Sequence, residues 1–263
     1  MSPSGSEPLA ELRARVAALA SASALRRVAR ELGRDSRRGA HSLASGCRRR
    51  AAEIERECRR FARLLALRER LFADGATRVA GVDEVGVGPL AGPVVAAAVV
   101  LPERPRLPGL DDSKRLSREA RERLACEIYA QAIGVGIAEV SAFEIDRHNI
   151  YRASLIAMRL AVEALDPQPD HVLVDARHIP GLSSAQTAIV GGDGLDASIA
   201  AASIVAKVHR DALMARFDRE YPGYGFGRHK GYGTREHLSA LRRLGATPVH
   251  RRSFAPVLQL PLL

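Results

Sequence analysis

The chain changes character near Thr77, and this switch constrains its fold more than any other feature. From Leu9 to Phe72 the sequence is rich in Ala, Leu, Arg and Glu and contains no proline, a composition that favours helices. After Thr77, short apolar runs rich in β-branched residues alternate with Gly- and Pro-rich turns, which is the pattern of strands. A helical N-terminal region followed by an α/β domain is therefore predicted.

The spacing of apolar residues predicts the individual elements. An amphipathic helix is expected over 50–72, strands over 79–82 and 94–101, and a helix over 118–131 that Ser117 caps. Further helices are predicted at 142–147, 151–165 and 199–220, and further strands at 133–140, 171–175 and 186–190. Early strands followed by strands that alternate with helices indicate a mixed sheet flanked by helices.

Length and composition narrow the class of protein. The chain has 263 residues, of which 46% are hydrophobic, enough for one substantial core with an appended segment. No apolar run approaches the roughly 18 residues of a membrane helix, and the N-terminus lacks the charged-then-apolar order of a signal peptide, so a cytoplasmic location is expected. Cys47, Cys58 and Cys126 form no C-x-x-C pair, which indicates neither a disulfide framework nor a zinc knuckle.

The excess positive charge is concentrated at the N-terminal end. The formal net charge is +10, and residues 1–78 hold 18 arginines against 9 acidic residues. The remaining chain is almost neutral. Two interpretations of this basic segment stay open: it can attract phosphate groups by counterion release, or its arginines can reflect helices coded by a GC-rich genome.

Acidic residues stand at the ends of apolar strands. Asp83 and Glu84 follow the strand 79–82, and Asp175 follows Val172–Val174. An ionised carboxylate is costly to desolvate unless it is paired or bound to a cation, and oxygen ligands suit Mg²⁺ or Mn²⁺. Each residue taken alone could simply cap a turn or a helix, but that explanation weakens when all of them are considered together.

Six motifs connect these residues to a known family. The run from Gly81 to Pro93 resembles the signature of type 2 ribonucleases H. The other matching segments are Leu110–Lys114, Val172–Asp175, Gly192–Asp193 with Ala200–Val208, His229–Tyr232 and Arg251–Phe254. They occur in the family's order and spacing over about residues 78–257.

This resemblance implies an RNase H-like fold and a metal-dependent endonuclease. Such an enzyme cuts the RNA strand of RNA–DNA hybrids and nicks duplex DNA 5′ of embedded ribonucleotides, leaving 5′-phosphate and 3′-hydroxyl ends. The family's metal ligands correspond to Asp83, Glu84, Asp175 and Asp193, which would hold two Mg²⁺ or Mn²⁺ ions. A regular strand would point Asp83 and Glu84 to opposite faces, so the strand is expected to end or bulge there.

The other motifs resemble substrate contacts. In the family, the loop that corresponds to Gly86, Val87 and Gly88 recognises the 2′-hydroxyl that separates RNA from DNA. Ser113 and Lys114 resemble a phosphate-contacting pair, and Tyr232 resembles a tyrosine that packs on the sugar. For Tyr232 a core-covering role is the alternative, and for Lys114 a solvated surface position. His229 and Lys230 are undecided between structural and catalytic roles.

The chain departs from the family pattern at two positions. Val87 replaces an arginine between the two glycines, and Gly192 replaces a lysine before the fourth carboxylate. The first departure puts substrate affinity in doubt, but neither removes a metal ligand.

The expected domain organisation is a basic helical extension at 1–75, an RNase H-like catalytic domain at 76–257 and a tail at 258–263. One rival is a catalytically weak nucleic-acid-binding relative, against which the retained carboxylates argue. Another is a type 3 ribonuclease H, whose N-terminal domain is rich in strands. Serine hydrolases and P-loop nucleotide triphosphatases are excluded because their motifs are missing.

The C-terminal tail carries a further short motif. Gln259–Leu263 resembles the peptide by which bacterial replication and repair proteins bind the sliding clamp. In the alternative interpretation, Leu260, Leu262 and Leu263 pack on the surface of their own domain. The expected partners are therefore the nucleic-acid substrate and, through this tail, a sliding clamp; a monomer without membrane attachment is expected.

Overall fold

The computed structural model describes residues 7–259, so four residues of the predicted clamp-binding tail lie outside the described range. Two units are present, one up to Ala62 and the other from Arg63 onward. The predicted division at 75/76 between extension and catalytic domain remains a prediction. Among the described residues, none of the helices combines the length and the apolar character needed to span a bilayer.

The N-terminal unit consists of helices. It contains α1 (Leu9–Ala17), α2 (Ala22–Leu32) and the first part of α3 (Arg38–Ala73). Their shared core is made largely of leucines from α1 and α2 against small residues of α3. The helix predicted at 50–72 begins at Arg38 in the structure, twelve residues earlier than predicted. The first turns of α3 bury alanines, which give only a weak hydropathy pattern.

The second unit is built on a five-stranded sheet with the order β3-β2-β1-β4-β5. The strands are β1 (Val79–Val85), β2 (Val94–Val100), β3 (Gly134–Val140), β4 (His171–Asp175) and β5 (Ala185–Ile189). The first three form an antiparallel meander, whereas β4 and β5 run parallel to β1. This arrangement confirms the predicted mixed sheet.

Further helices complete the second unit, and both faces of the sheet are covered. The helices are α4 (Arg118–Gln131), α5 (Ala142–His148), α6 (Ile150–Glu163), α7 (Ala197–Glu220), α8 (Phe226–His229), α9 (Arg235–Leu244) and α10 (Ala255–Leu258). The predicted bounds of α4 to α7 are correct to within two residues. We did not predict α9, whose sequence is dominated by charged and polar residues and buries little apolar surface.

Alternation along β1 assigns its side chains to two different cores. Ala80 and Val82 pack with α6 on one face, whereas Val79 packs with Ile199 of α7 on the other. A Cβ atom on Gly81 would lie 2.1 Å from the backbone carbon of Ser198. The absence of a side chain at Gly81 therefore lets the backbone of α7 approach β1 directly beside Asp83.

The expectation that β1 ends or bulges at Asp83 and Glu84 is wrong. Its antiparallel pairing with β2 continues without interruption through Asp83, Glu84 and Val85. Only the parallel pairing with β4 stops, at Val82 opposite Val174. The long β2 strand keeps β1 regular, and the two carboxylates consequently point to opposite faces of the sheet.

Candidate active site

The carboxylates identified in the sequence meet at the carboxyl edge of the sheet. Asp83 and Glu84 lie near the end of β1, and Asp175 is the last residue of the neighbouring parallel strand β4. Asp193 lies in a single 3-10 turn, Gly192–Gly194, that leads into α7. Each carboxylate is close enough to another member to affect its ionisation.

Asp83 is held on the α7 side of the sheet. It is 6% exposed, and its Oδ1 atom accepts a hydrogen bond of 2.8 Å from the Glu84 amide. A further hydrogen bond joins it to Ser203 of α7, whose hydroxyl is 2.9 Å from that of Ser113. Ser113 is thus buried beneath Asp83, whereas its predicted contact with phosphate remains a prediction.

Glu84 faces the opposite side, where an arginine accompanies it. Arg177 Nη2 lies 3.5 Å from Glu84 Oε1, and the same guanidinium donates to the Ser154 hydroxyl of α6. The arginine also stacks over the ring of Tyr151 at 5.2 Å. Arg177 escaped the sequence interpretation, although its position two residues after Asp175 could have indicated it.

Asp175 and Asp193 are oriented by short local contacts. The Gly192 amide donates to Asp175 Oδ1 over 2.7 Å, and Lys114 Nζ lies 3.1 Å from Asp193 Oδ2. A side chain at Gly192 would bring its Cβ within 2.5 Å of Ile199, so the departure from the family's lysine fits a turn packed closely on α7. The predicted phosphate-contacting Lys114 therefore lies at the site, with its ammonium on a carboxylate.

Burial and repulsion between neighbouring carboxylates both oppose the ionisation of Asp83, Glu84 and Asp175. Burial, together with the neighbouring Glu84 carboxylate, raises the pKa of Asp83 to about 8. Burial also raises the pKa of Glu84 despite the attraction of Arg177, and it raises that of Asp175, with Asp193 adding to the effect. A cation bound among these oxygens would stabilise the charged forms.

The donor set suits a divalent cation. In the described part of the chain, no three His, Cys, Asp or Glu side chains form a ready-made metal centre. Lys114 and Arg177 each contact one of the carboxylates. However, Glu84 Oε2 is buried and has no hydrogen-bond partner among the described residues. An unpaired buried carboxylate oxygen beside further carboxylates is what a hard cation requires.

The predicted recognition loop follows β1 directly. Gly86 adopts a φ of +89°, and a Cβ atom there would collide with the side chain of Arg210. Gly88 lies under Tyr232: an added Cβ would be 3.7 Å from the ring, and the tyrosine is 48% exposed. The loop and Tyr232, named separately from the sequence, therefore form one surface beside the carboxylates.

His229 has a structural environment. Its Nδ1 accepts a hydrogen bond from the Gly231 amide, so its Nε2 donates to the Tyr224 carbonyl over 2.7 Å. The ring stacks on that of His237 at 4.5 Å. These contacts favour the structural over the catalytic role for His229.

Two further histidines form a directed hydrogen-bond chain that ends at Tyr232. Thr247 donates its amide to Nδ1 of His250, so the Nε2 of His250 carries the proton and donates to Nε2 of His237 over 3.1 Å. The Nδ1 of His237 then donates to the Tyr232 carbonyl over 2.9 Å. This chain fixes the backbone of Tyr232 and was not predicted.

The comparisons with known proteins agree with this geometry. Residues 80–257 match the sequence model of the family described as Ribonuclease HII. The chain belongs to the ribonuclease HII family. A ribonuclease HII from Geobacillus kaustophilus is 58% identical over 194 residues, which are 74% of this chain and 74% of that protein. The chain is thus a nuclease of the hydrolase class, and the type 3 rival is set aside.

Solved structures of family members show the same fold. The ribonuclease H2 of Pyrococcus horikoshii OT3 is 26% identical with a TM-score of 0.61, covering 70% of this chain and 96% of its own. The ribonuclease HII of Archaeoglobus fulgidus, solved in a complex with PCNA, is 27% identical with a TM-score of 0.59, covering 68% and 95%. Both matches cover nearly the whole of the archaeal proteins and leave about 30% of this chain outside.

Proposed function

We propose that this protein hydrolyses the RNA strand of RNA–DNA hybrids and nicks duplex DNA on the 5′ side of embedded ribonucleotides, leaving 5′-phosphate and 3′-hydroxyl ends. The observation that carries the proposal is the position of the carboxylates Asp83, Glu84, Asp175 and Asp193 directly beside the loop 86–88 and Tyr232. A site for phosphodiester chemistry and a surface for reading the sugar are thereby adjacent.

The carboxylates would hold two divalent cations, Mg²⁺ or Mn²⁺. When bound, such ions supply the charge that activates a water molecule and stabilises the scissile phosphate and the departing 3′ oxygen. The chain's own contribution is preorganisation. The Ser203 hydroxyl orients Asp83, the Gly192 amide orients Asp175, and Lys114 supplies a cation where a phosphate would approach.

The loop and Tyr232 would select the substrate. Backbone amides of the loop can donate to a 2′-hydroxyl, which is the group that distinguishes RNA from DNA. The half-exposed ring of Tyr232 offers an apolar face to the sugar beside it. Together these groups would place the phosphate on the 5′ side of a ribonucleotide over the carboxylates.

A labelled DNA duplex with one ribonucleotide tests the proposal. With Mg²⁺ or Mn²⁺, we expect a single nick 5′ of the ribonucleotide, a product that polymerase extends from its 3′-hydroxyl, and no cut in the matched all-DNA duplex. Binding without any cleavage would instead support the rival of a catalytically weak nucleic-acid-binding relative. Cleavage of the all-DNA duplex would contradict the recognition of ribose.

A sliding clamp is the proposed protein partner, with Gln259–Leu263 as its ligand. The archaeal relative solved with PCNA supports a partner of this kind, and a short peptide can place leucines in a preformed apolar groove. A peptide of residues 255–263 should bind a bacterial clamp at micromolar strength, and Gln259→Ala with Leu262→Ala should abolish binding without lowering the protein's stability. Undetectable binding, or marked destabilisation, would favour packing of the tail on its own domain.

Three further statements about the protein's setting remain proposals. All the carboxylates come from one chain, which supports a monomer; light scattering of the purified protein would test this. A cytoplasmic location, where bacterial DNA is replicated, fits the proposed substrate. Phosphate contact by the N-terminal arginines would add affinity without sequence preference.

A further inference from the structure

Two buried arginines lie beneath the recognition loop. Arg210 of α7 and Arg251 are both fully buried, and neither forms an ion pair within residues 7–259. Burial lowers the pKa of Arg210 to about 10 and that of Arg251 to about 9, so both are cationic at neutral pH. Burying two guanidinium groups without a carboxylate partner is costly unless their hydrogen bonds are satisfied by other acceptors.

Backbone carbonyl groups supply those acceptors. Arg251 donates to Gly86, to Val87 over 2.8 Å and to Gly92 over 3.0 Å. Arg210 donates to Ala91, Pro93 and Lys230 over 3.0 to 3.1 Å. The two guanidinium groups thus bind both ends of the loop 86–93, and Arg210 also binds the segment that leads to Tyr232.

The contacts of Arg251 decide where two amide groups point. In a trans peptide the carbonyl and the N–H of one peptide unit point in opposite directions. Because the carbonyls of Gly86 and Val87 turn inward to Arg251, the amides of Val87 and Gly88 turn outward. Within the described residues neither amide donates to a protein acceptor, so both are free to donate to a ligand.

We propose that Arg251 is a positioning residue for ribose selectivity: it aims the consecutive amides of Val87 and Gly88 at the 2′-hydroxyl of the substrate. Arg210 keeps those amides in register with Tyr232 by binding the far end of the loop and Lys230. This inference rests on the proposed function, because it assumes that the loop reads the ribose. It assigns selectivity to buried side chains that touch no substrate atom.

The test measures the affinity for a duplex with one ribonucleotide against the matched all-DNA duplex, by fluorescence anisotropy in EDTA so that no cleavage occurs. For Arg251→Met we expect the ratio of the two affinities to fall by about tenfold, as for the loss of a hydrogen bond to ligand, with the all-DNA affinity within about twofold of wild type. Arg251→Lys keeps the charge but carries its donors on one nitrogen, whereas Arg251 donates from three nitrogens of a planar fork, so it should fail to restore the ratio.

The matched control is Arg252→Met, which removes an exposed arginine one position away; it should leave the ratio unchanged even if both affinities fall. Should Arg251→Met fail to fold, Val87→Pro removes one of the two amide donors without touching Arg251 and should lower the ratio similarly. An unchanged ratio in folded Arg251→Met or in Val87→Pro, or full rescue by Arg251→Lys, would overturn the inference. A wild-type ratio near one would also overturn the inference, whereas the absence of a selective nick in the cleavage assay with Mg²⁺ or Mn²⁺ would refute the proposed function.

Discussion

Arginine is exposed or partly exposed in the N-terminal unit, whereas several arginines of the second unit are buried. In residues 7–62 there are fourteen arginines, none of them buried, and several form ion pairs with nearby acidic residues. In the second unit, Arg68, Arg210 and Arg251 are fully buried and donate to backbone carbonyls. Exposed charge acts at a distance and is screened by salt, whereas buried charge fixes local geometry. Net charge alone therefore says little about which arginines determine function.

The largest expected effect is the loss of cleavage when a carboxylate of the candidate active site is removed, compared with the removal of a carboxylate in the N-terminal unit. Asp83→Asn or Asp175→Asn should lower the cleavage rate by about a thousandfold or more, because a lost ligand mispositions the charge that stabilises the transition state. The matched change in the N-terminal unit, Asp35→Asn, removes a carboxylate paired with Arg37 and should leave the rate unchanged. Single-turnover assays on the one-ribonucleotide duplex give the comparison.

Both catalytic variants should remain folded, as circular dichroism would show. In the absence of metal, Asp83→Asn should melt at or above the wild-type temperature, since it removes repulsion among buried carboxylates. Full activity of Asp83→Asn with Mg²⁺ would refute the assignment of the site.

The second unit buries a histidine whose ionisation should make its stability depend on pH. Burial and the neighbouring His237 lower the pKa of His250 to about 4; the other basic groups near it are His229 and Arg252. An unfolded histidine titrates near 6.5, so between pH 6.5 and 4 the unfolded chain binds more protons and stability falls as the pH falls. His250 accounts for at most about 3 kcal/mol of this loss.

Melting curves at pH 7.5 and 5 check this prediction. The loss of stability caused by His250→Asn should be large at pH 7.5 and smaller at pH 5, where the wild type bears the cost of the buried charge. His41→Asn, at the exposed histidine of the N-terminal unit, is the control for removing an imidazole that is not buried. A constant effect of His250→Asn would contradict the burial of a neutral ring.

Neutralising exposed arginines tests whether the N-terminal unit meets phosphate. Arg49, Arg56 and Arg59 are exposed on α3 and form no ion pair within the described residues. If they contact the duplex, each substitution by Gln should reduce the slope of log affinity against log salt by about 0.9. Arg26→Gln, at an arginine paired with Glu55, serves as the control, and an unchanged slope in the triple variant would favour a purely structural helix.

The smallest expected effect comes from adding an arginine to the recognition loop of the second unit. Val87→Arg restores the family's residue in the recognition loop. It should strengthen substrate binding by about 1 kcal/mol through a charge-assisted contact to the phosphate backbone of the nucleic acid. Titration at several salt concentrations would separate this gain from a general electrostatic one. A lower kcat/KM on the one-ribonucleotide duplex would mean that the loop is built differently.

The sequence predicted those parts of the candidate site in which a residue type, in its position, has one physical explanation. Carboxylates at the ends of apolar strands indicated a cation site, and the family resemblance placed Asp83 and Asp175 in it together. The structure adds that β1 and β4 are parallel neighbours, which brings both residues to one edge of the sheet. The prediction from sequence failed at Glu84, since the regularity of β1 depends on the length of its pairing with β2, which no local pattern shows. Arg251 was named only as part of a family motif, Arg210 was not named, and the burial of both was missed for a similar reason: arginine is ordinarily exposed, and only the folded chain brings carbonyl groups around it.

Because β1 runs without interruption up to the recognition loop, it fixes the distance between the carboxylates and that loop. Val87 follows Glu84 by three positions of extended or turning chain, a separation of at most about 10 Å. If the carboxylates cut and the loop reads the ribose, the distance from the recognised sugar to the broken bond is set by this length of backbone. The position of the nick would then follow the ribonucleotide through any surrounding base sequence.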